Sequence, residues 1–372
     1  MNNRAKRMMV NPRNLFFILA VSRLTNVIIF MPVITAGWAF EDAWASVIVA
    51  YVLVVPIVLL LSWVSVQSGE EGLLTRARKR WGWWSAVFLA PYVLLFAIIP
   101  GYGSAQLGVL FTTVALTQTP AGMIIALTLF VGAYAAYNGI DTIGRVAQIV
   151  FTLLVALAAA TMLGVWTEID TGRLLPHFSR GFSPIVGSAW VPAAWTIVSL
   201  SPLPVLAGEV QRARDGVRWA ALAAATVDSA VLIAFSSLAI MVFSAQEAHQ
   251  MLSPAYSLAK LIRVPHTFER LEVVVLTAWI SAISIDAGVF LYTASQALSE
   301  LTRAKSHRPF ILPVAITAAL CASYLFSSVT IVRHSTFHVL LPVVAVAAVA
   351  IPFLATLILR GPEEEAQNEK PG

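Results

Sequence analysis

The chain has 372 residues, of which 59% are hydrophobic and 12% charged, and its mean hydropathy is +0.81. A soluble globular domain carries about twice that share of charge, so these values exclude a soluble enzyme and predict an all-α integral membrane protein. The net charge of +5 does not indicate nucleic-acid binding. The basic residues lie in short loops between apolar runs, where membrane topology explains them better than phosphate contacts do.

Ten apolar runs fill the chain, and each is long enough to cross a hydrocarbon core of roughly 30 Å as a helix. The predicted spans are 15–36, 43–67, 83–116, 120–137, 143–165, 184–207, 217–243, 271–298, 310–329 and 338–359. The first run continues to Ala36 without a small-residue cleavage site, which favours a retained helix over a signal peptide. The sequence therefore predicts an N-terminal segment (1–14), one transmembrane domain (15–359) and a polar, disordered tail (360–372).

The loops predict the orientation of the spans. Most of the 24 lysine and arginine residues lie in the N-terminal segment, in alternate loops and in the tail. The positive-inside rule therefore places both termini in the cytoplasm. Dividing the chain near Val165 gives five spans in each half, at about 15–165 and 184–359. Because an odd number of spans makes the halves enter the membrane in opposite senses, the sequence predicts an inverted repeat.

The first span of each half has irregular chemistry. In the middle of span one stand Ser22, Arg23, Leu24, Thr25 and Asn26, followed by Pro32, and in span six Ser199, Leu200, Ser201, Pro202 and Pro204. Proline removes a backbone donor and disfavours helix at the residue before it. We therefore expect helices 1 and 6 to be discontinuous around a binding site at the membrane midplane. The alternative is a pair of ordinary proline kinks.

Several motifs lie between the spans in order. They are Glu41-Asp42-Ala43-Trp44, Gln118-Thr119-Pro120, Asn138-Gly139-Ile140-Asp141 leading to Arg145, Leu174-Leu175-Pro176 with Gly181 and Pro184, Ser253-Pro254-Ala255-Tyr256, and Phe268-Glu269-Arg270-Leu271-Glu272 followed by Trp279-Ile280. Together they resemble the spore germination permease family, the B subunits of nutrient germinant receptors in endospore-forming bacteria. The chain departs from the family in two places. Leu24-Thr25-Asn26-Val27 stands where family members often have a Gly-x-Gly-type turn. Many members also have a glutamate within the span-six break, whereas the nearest acid here is Glu209, at the end of the span.

The resemblance implies a fold, a location and partners. The family is similar to amino acid–polyamine–organocation (APC) transporters, whose fold (LeuT-like) is a five-plus-five inverted repeat. The resemblance further implies a germinant receptor subunit in the spore's inner membrane that works with an A subunit and a lipoprotein C subunit. Its ligand would be a small nutrient, an amino acid or a similar polar metabolite.

Polar residues inside the spans supply the candidate ligand contacts. The predicted set is Arg23, Leu24, Thr25, Asn26, Tyr102, Gln106, Ser199, Leu200, Ser201, Pro202, Ser284 and Asp286. A charge at the centre of a helix costs at least about 3 kcal/mol on insertion scales, so Arg23 needs a partner. That partner is either a ligand carboxylate or a structural acid, Asp286 or Asp228; alternatively, span one starts later and Arg23 extends to the membrane surface.

The other polar positions also leave two interpretations open. Asp286 can bind an ammonium group, a cation or a proton, or it can form a structural pair with Arg23. Asp228 indicates a structural or proton-sensing role. Tyr102 and Gln106 are four residues apart on one helix face, which is typical of a ligand pocket, whereas Gly101 and Gly103 favour close helix packing.

The sequence predicts binding rather than covalent chemistry. It contains no nucleotide loop, nucleophile elbow, paired catalytic carboxylates or histidine spacing suited to a metal, so we expect no enzyme activity and no cofactor. We expect a subunit that binds a nutrient and signals to its partners. The alternatives are a proton- or sodium-coupled transporter of an amino acid or amine, and a degenerate subunit without a ligand.

Overall fold

The structure is a computed structural model that describes residues 10–67, 72–210, 213–262, 271–325 and 341–359; the side chains at 25–28, 213, 214, 271 and 325 are outside this description. The described residues form helices and one isolated parallel bridge, between Val10 and Val210. The α-helices, numbered in chain order, are α1 (Pro12–Ala39), α2 (Ala43–Gln67), α3 (Leu73–Trp81), α4 (Trp84–Val114), α5 (Ala121–Asn138), α6 (Ile140–Gly164), α7 (Ser183–Leu200), α8 (Leu203–Leu206), α9 (Ala213–Phe243), α10 (Ala245–Gln250), α11 (Pro254–Leu261), α12 (Leu271–Thr302), α13 (Arg308–Leu325) and α14 (Leu341–Leu359).

The ten predicted spans are confirmed except at residues 326–329 and 338–340, which lie outside the described residues. Each coincides with a long helix, and the sixth coincides with α7 and α8 together. Eight apolar helical runs of the described residues are long enough to cross a membrane; one of them, Ile29–Gln67, passes through the turn at Phe40 and contains the end of α1 and all of α2. The shorter apolar helix α13 is the remaining pass. The chain is therefore an all-α, multi-pass membrane protein.

Three short helices between the spans are missing from the sequence prediction. In α3, Leu73 and Leu74 are buried whereas Lys79 and Arg80 are exposed, so this helix is amphipathic and lies between the spans. The other two, α10 and α11, connect α9 to α12. The ring of His249 on α10 lies over Gly37 of α1, with Nδ1 3.1 Å from the Val33 carbonyl oxygen. A search for long apolar runs misses all three because they are short and carry charge.

The helix contacts follow the predicted repeat. If the two halves are exchanged, α1 corresponds to α7, α2 to α9, α4 to α12, α5 to α13 and α6 to α14. Under this exchange the packing of α1 on α9 becomes that of α7 on α2, and α1 on α6 becomes α7 on α14. Likewise α4 on α13 becomes α12 on α5, and α6 on α12 becomes α14 on α4. This is the pairing of an inverted repeat; the boundaries 15–165 and 184–359 stay predictions.

One part of the fold prediction is corrected. The expected discontinuity of helix 1 is absent, because α1 runs as a single helix from Pro12 to Ala39. No glycine or proline lies between Leu15 and Met31, so every residue of Leu24-Thr25-Asn26-Val27 can donate its helical backbone hydrogen bond. Pro32 is accommodated inside the helix.

The discontinuity of helix 6 is confirmed and has a clear cause. α7 ends at Leu200, Ser201 and Pro202 form a turn, and α8 begins at Leu203. Pro202 cannot donate to the carbonyl of Val198, which instead accepts from the backbone N–H and the hydroxyl of Ser201, at 3.1 and 2.6 Å.

The helix α12 lies at the centre of the bundle. It packs against α1, α4, α5, α6 and α13. Its approach to α5 is close because Gly132 and Gly288 face each other: a Cβ on Gly132 would lie 3.0 Å from backbone atoms of Ser284 and Gly288. A polar side chain in the middle of α12 is therefore enclosed by helices from both halves.

Candidate functional site

The carboxyl group of Asp286, in the middle of α12, is buried against α1. The hydroxyl of Ser22 donates a hydrogen bond to Asp286 Oδ1, and both residues are buried. On the α4 side, Gly103 faces the same carboxyl group, since a Cβ at Gly103 would lie 3.9 Å from Asp286 Oδ2. Asp286 therefore lies where α1, α4 and α12 meet.

An aromatic pair extends this junction to α7. Tyr102, the neighbour of Gly103 on α4, packs edge-on against Trp195 of α7 with ring centroids 5.6 Å apart. The side-chain amide of Gln106 donates to the Tyr102 hydroxyl, which confirms that the two residues share a helix face. The junction thus combines the first and third helices of one half (α1, α4) with their counterparts in the other half (α7, α12).

Three buried polar atoms near these helices lack a hydrogen-bond partner in the described part of the chain. They are Trp195 Nε1, Gln106 Oε1 and Ser284 Oγ. Leaving a buried donor or acceptor unsatisfied costs about 1–3 kcal/mol. Trp195 provides a free donor and Gln106 a free acceptor beside Tyr102, so a polar ligand there would satisfy groups that the protein leaves open.

The break between α7 and α8 adds backbone acceptors. The helical donor for the Leu200 carbonyl would be residue 204, which is a proline and has no N–H. The carbonyl of Ser201 accepts a hydrogen bond from the hydroxyl of the buried Tyr92 on α4. Tyr92 therefore fixes the break to α4 while the Leu200 carbonyl has no helical donor.

The hydroxyls of the break are used within α7. Ser199 Oγ donates to the Trp195 carbonyl at 3.1 Å, and Ser201 Oγ donates to Val198, as described above. Both hydroxyls thus donate to carbonyls near the end of α7. The two hydroxyl oxygens can still accept a hydrogen bond.

Arg23 faces a different side of α1 from Ser22. Its Nη1 lies 3.9 Å from Asp228 Oδ2 on α9, and it contacts the Ala225 carbonyl at 3.3 Å and Ser229 Oγ at 3.4 Å. Of the two acids considered as structural partners, Asp228 is therefore the one that pairs with Arg23 in the described residues. The structure separates Arg23 from the Asp286 junction, since adjacent helix residues point about 100° apart.

The other predicted ligand contacts lie in the apolar core, at the helix-6 break or on α1. Leu24 is fully buried in the apolar core, and Leu200 and Pro202 are buried at the helix-6 break. Thr25 and Asn26 belong to the continuous part of α1, but their side chains fall outside the described residues. The structure thus pairs Tyr102 with Gln106 on α4 and places Asp286 of α12 opposite the adjacent Gly103. The helix-6 break contacts α4 at Tyr92, ten residues before Tyr102 and so about 15 Å away along the helix.

Four residues with contacts around the junction and the break were not among the predicted ligand contacts, although the sequence analysis named two of them, Ser22 and Gly103, for other reasons. The four are Ser22, Gly103, Tyr92 and Trp195. The available signal was helical spacing: Trp195 stands four residues before Ser199, on the same face of α7 as the predicted contacts. A tryptophan in an apolar run is, however, also typical of ordinary core packing.

A second polar region lies at the end of the bundle where α1 begins. A cavity of about 20 Å³, enough for roughly one water molecule, is lined in part by Thr75, Glu209, Gln296 and Glu300. Glu209 Oε2 accepts from the Tyr292 hydroxyl, and Glu300 Oε2 from Thr75 Oγ1, each at 2.7 Å. Both acids therefore connect helices. The described residues contain no group of three or more His, Cys, Asp or Glu side chains suited to a metal.

Solved structures of transporters share this architecture. One is Mhp1, a nucleobase-cation-symport-1 family transporter in a closed conformation, with a TM-score of 0.68 and 13% identity over 98% of this chain and 95% of that chain. Another is MhsT in complex with L-phenylalanine, with a TM-score of 0.59 and 18% identity over 93% and 87% of the two chains. At this level of identity the likeness shows the fold alone, a LeuT-like transporter fold.

Curated relatives match most of the chain in sequence. The putative spore germination protein YfkT of Bacillus subtilis (strain 168) is 23% identical over 333 residues, 88% of this chain and 90% of that protein. Spore germination protein KB of the same organism is 22% identical over 335 residues, 88% and 87% of the two chains. The family model described as "Spore germination protein" matches residues 9–347. The chain belongs to the spore germination protein family.

Proposed function

We propose that this protein is the B-type subunit of a nutrient germinant receptor. It lies in the spore inner membrane with both termini in the cytoplasm, and it works with A and C subunits. Its ligand is a small polar metabolite, an amino acid being the class that the site fits best. The family membership and the excess of basic residues in alternate loops support this proposal.

The observation that carries the proposal is the meeting of α1, α4, α7 and α12 around Asp286, Tyr102 and Trp195. An ammonium group suits the Asp286 carboxylate, because a cation prefers a charged acceptor. A carboxylate suits the Trp195 indole N–H, which has no partner in the described residues. An amino acid carries both groups on one carbon.

The proposed ligand contacts follow from this geometry. They are Ser22, Tyr102, Gln106, Trp195, Ser199, Leu200, Ser201, Pro202, Ser284 and Asp286, with the side chains of Thr25 and Asn26 as further candidates on α1. We assign Arg23 to the pair with Asp228 rather than to the ligand, and Leu24 to the core.

Signalling requires that the ligand favour one helix arrangement over another. A ligand can shift such an equilibrium only by the difference between its affinities for the two states. The Ser22–Asp286 hydrogen bond joins the leading helix of the first half to α12. A ligand that competes for the Asp286 carboxylate alters this bond and with it the position of α1, which partner subunits then detect.

A second candidate function is coupled transport. The transporters of the same fold favour it, because MhsT is solved in complex with L-phenylalanine and another neighbour, at a TM-score of 0.66, is a substrate-bound, Na⁺-coupled sialic acid symporter. The two functions share a fold, so only the fate of the ligand separates them.

The proposal is tested with spores that lack this gene and spores complemented with it, scored for germination against a panel of amino acids and other nutrients. A response restored by the wild-type gene and lost in Trp195→Phe, which keeps an aromatic side chain but removes the indole N–H and part of the ring volume, supports the proposal. Trp279→Phe, at another buried position on α12, removes the same atoms and is the matched control. Uptake of a radiolabelled panel member by the purified protein in liposomes would favour transport instead, and a complemented strain without any nutrient response would contradict both functions.

A further inference from the structure

The buried pair between α1 and α9 is not bonded as an ion pair should be. Arg23 and Asp228 have side-chain exposures of 3% and 1%, yet Nη1 of the arginine and Oδ2 of the aspartate are 3.9 Å apart. A charge-assisted hydrogen bond is about 2.7–2.9 Å long. Arg23 Nε and Asp228 Oδ1 have no hydrogen-bond partner in the part of the chain that the structure describes. Both groups are thus removed from water without forming the contact that would compensate them.

This arrangement is unfavourable for two ionised groups. Removing two charges from water costs free energy. Their attraction offsets this cost only when the two groups are within hydrogen-bonding distance and their other polar atoms have partners, and neither condition holds here. One of the two groups has to lose its charge, or they have to move together. Arginine cannot lose its proton in a protein, so the aspartate is the group that can become neutral.

In the described part of the chain, no charged group besides Arg23 compensates Asp228. The elements packed against α9 are α1, α2, α10, α11 and the 3₁₀ turns at 171–174 and 207–209. Their charged or titratable residues are Arg13, Arg23, Tyr51, Glu247, His249, Tyr256, Lys260, Arg173 and Glu209. Among these described residues only Arg23 lies within 4.0 Å of the carboxylate. The Tyr51 hydroxyl is hydrogen-bonded to the Thr226 hydroxyl, and the His249 ring is hydrogen-bonded to the Val33 carbonyl.

We propose that Asp228 is a proton-binding site, occupied in this arrangement of the helices, and that α1 responds to loss of the proton through Arg23. When Asp228 is neutral, Arg23 relies on the Ala225 carbonyl and Ser229. When the proton leaves, the carboxylate attracts the guanidinium across the 3.9 Å gap into hydrogen-bonding distance. The reaction is a simple exchange in which the O–H bond of the acid breaks and the proton passes to water.

The neighbouring residue connects this proton site to the candidate ligand site. Ser22 precedes Arg23 on α1 and donates to Asp286, so a shift of α1 toward α9 weakens the contact with α12. Coupling between two sites is reciprocal, so a ligand at Asp286 changes proton binding at Asp228. This step rests on the proposed function, whereas the proton on Asp228 does not.

The test needs no ligand. The full chain, labelled with ¹³C at its aspartate carboxyl groups and reconstituted in lipid nanodiscs, is measured by infrared spectroscopy at neutral pH. A protonated carboxylic acid has a carbonyl band distinct from that of a carboxylate. We expect this band in the wild type, its loss in Asp228→Asn, and its retention in Asp286→Asn and in Asp141→Asn, whose carboxylate is ion-paired at 2.7 Å with Arg145.

The wild-type spectrum alone can overturn the proposal. If the labelled protein has no protonated band, Asp228 is ionised, whether or not any variant folds. A band that disappears in Asp286→Asn and persists in Asp228→Asn assigns the proton to the other acid and also overturns it. Failure of the proposed nutrient receptor would leave this spectrum unchanged, so the two proposals fail separately.

Discussion

The hydroxyl of Ser22 on α1 donates a hydrogen bond to the carboxyl group of Asp286 on α12, deep inside the bundle. This contact joins the first helix of one half to the third helix of the other. Because Arg23 beside it turns to Asp228 on α9, one turn of α1 contacts an acid on each of two helices. The predictions below test this junction and the packing that holds it.

Ser22→Ala should weaken the connection between α1 and α12. Hydrogen bonds to charged groups contribute about 1.5–3 kcal/mol, whereas neutral ones contribute about 0.5–1.5 kcal/mol. The matched control is Ser188→Ala, because Ser188 Oγ donates to the neutral Ser46 hydroxyl between α7 and α2 at 2.6 Å. Thermal unfolding in nanodiscs should show the larger loss of stability for Ser22→Ala. An equal or smaller loss would mean that the Asp286 contact contributes no charge-assisted bond.

Two glycines on α4 should respond differently to alanine. A Cβ on Gly101 would lie 2.4 Å from the Ala318 carbonyl oxygen of α13, so Gly101→Ala forces the helices apart. Overpacking of this kind typically costs about 1–3 kcal/mol. A Cβ on Gly103 has ordinary contacts at 3.8 and 3.9 Å, so Gly103→Ala should unfold near the wild-type temperature. The reverse order of melting temperatures would contradict the α4–α13 packing.

Tyr92→Phe should destabilise the helix-6 break. The substitution removes the hydroxyl that donates to the Ser201 carbonyl and leaves that buried acceptor without a partner. Such an unsatisfied group lowers the free energy of unfolding by about 1–3 kcal/mol. Tyr51→Phe serves as the comparison, since its partner Thr226 keeps a bond to the Leu222 carbonyl at 2.8 Å. Denaturation midpoints should fall further for Tyr92→Phe. If Tyr51→Phe were the more damaging change, the carbonyl at the break would have another donor.

The contact between α10 and α1 gives a double-mutant prediction. A Cβ on Gly37 would lie 2.2 Å from His249 Nδ1, so Gly37→Ala displaces the histidine ring and α10 with it. Combining it with His249→Ala should restore much of the lost stability, because the clash disappears and the two effects are coupled. Gly187→Ala, whose nearest neighbour is Trp38 at 3.8 Å, should be tolerated. Additive losses in the double variant would show that the ring does not occupy this space.

The sequence predicted the spans because hydrophobic length determines them. The bounds of α2, at Ala43 and Gln67, and the interruption after Leu200 followed from apolar length and from the missing N–H groups of two prolines. The continuity of α1 was harder to predict. Its polar residues resemble a break, but without glycine or proline the backbone has no reason to unwind.

The direction of each polar side chain could not be predicted from the sequence. Whether Arg23 or Ser22 faces Asp286 depends on the rotation of α1 about its axis, which packing against α9 and α12 determines. The resulting arrangement places Arg23 with Asp228 and leaves Ser22 for Asp286. Trp195 joins the junction for a similar reason, since only the crossing of α4 and α7 places it on Tyr102.

The most direct test of the central claim is equilibrium binding of an amino-acid panel to the purified full chain, comparing wild type with Asp286→Asn and with Asp141→Asn as the control. We predict that a panel member binds the wild type and that Asp286→Asn weakens this binding by about tenfold to a hundredfold, in line with about 1.5–3 kcal/mol for a charged contact. Asp141→Asn should bind like the wild type. Unchanged affinity in Asp286→Asn would contradict a ligand site at the junction of α1, α4, α7 and α12.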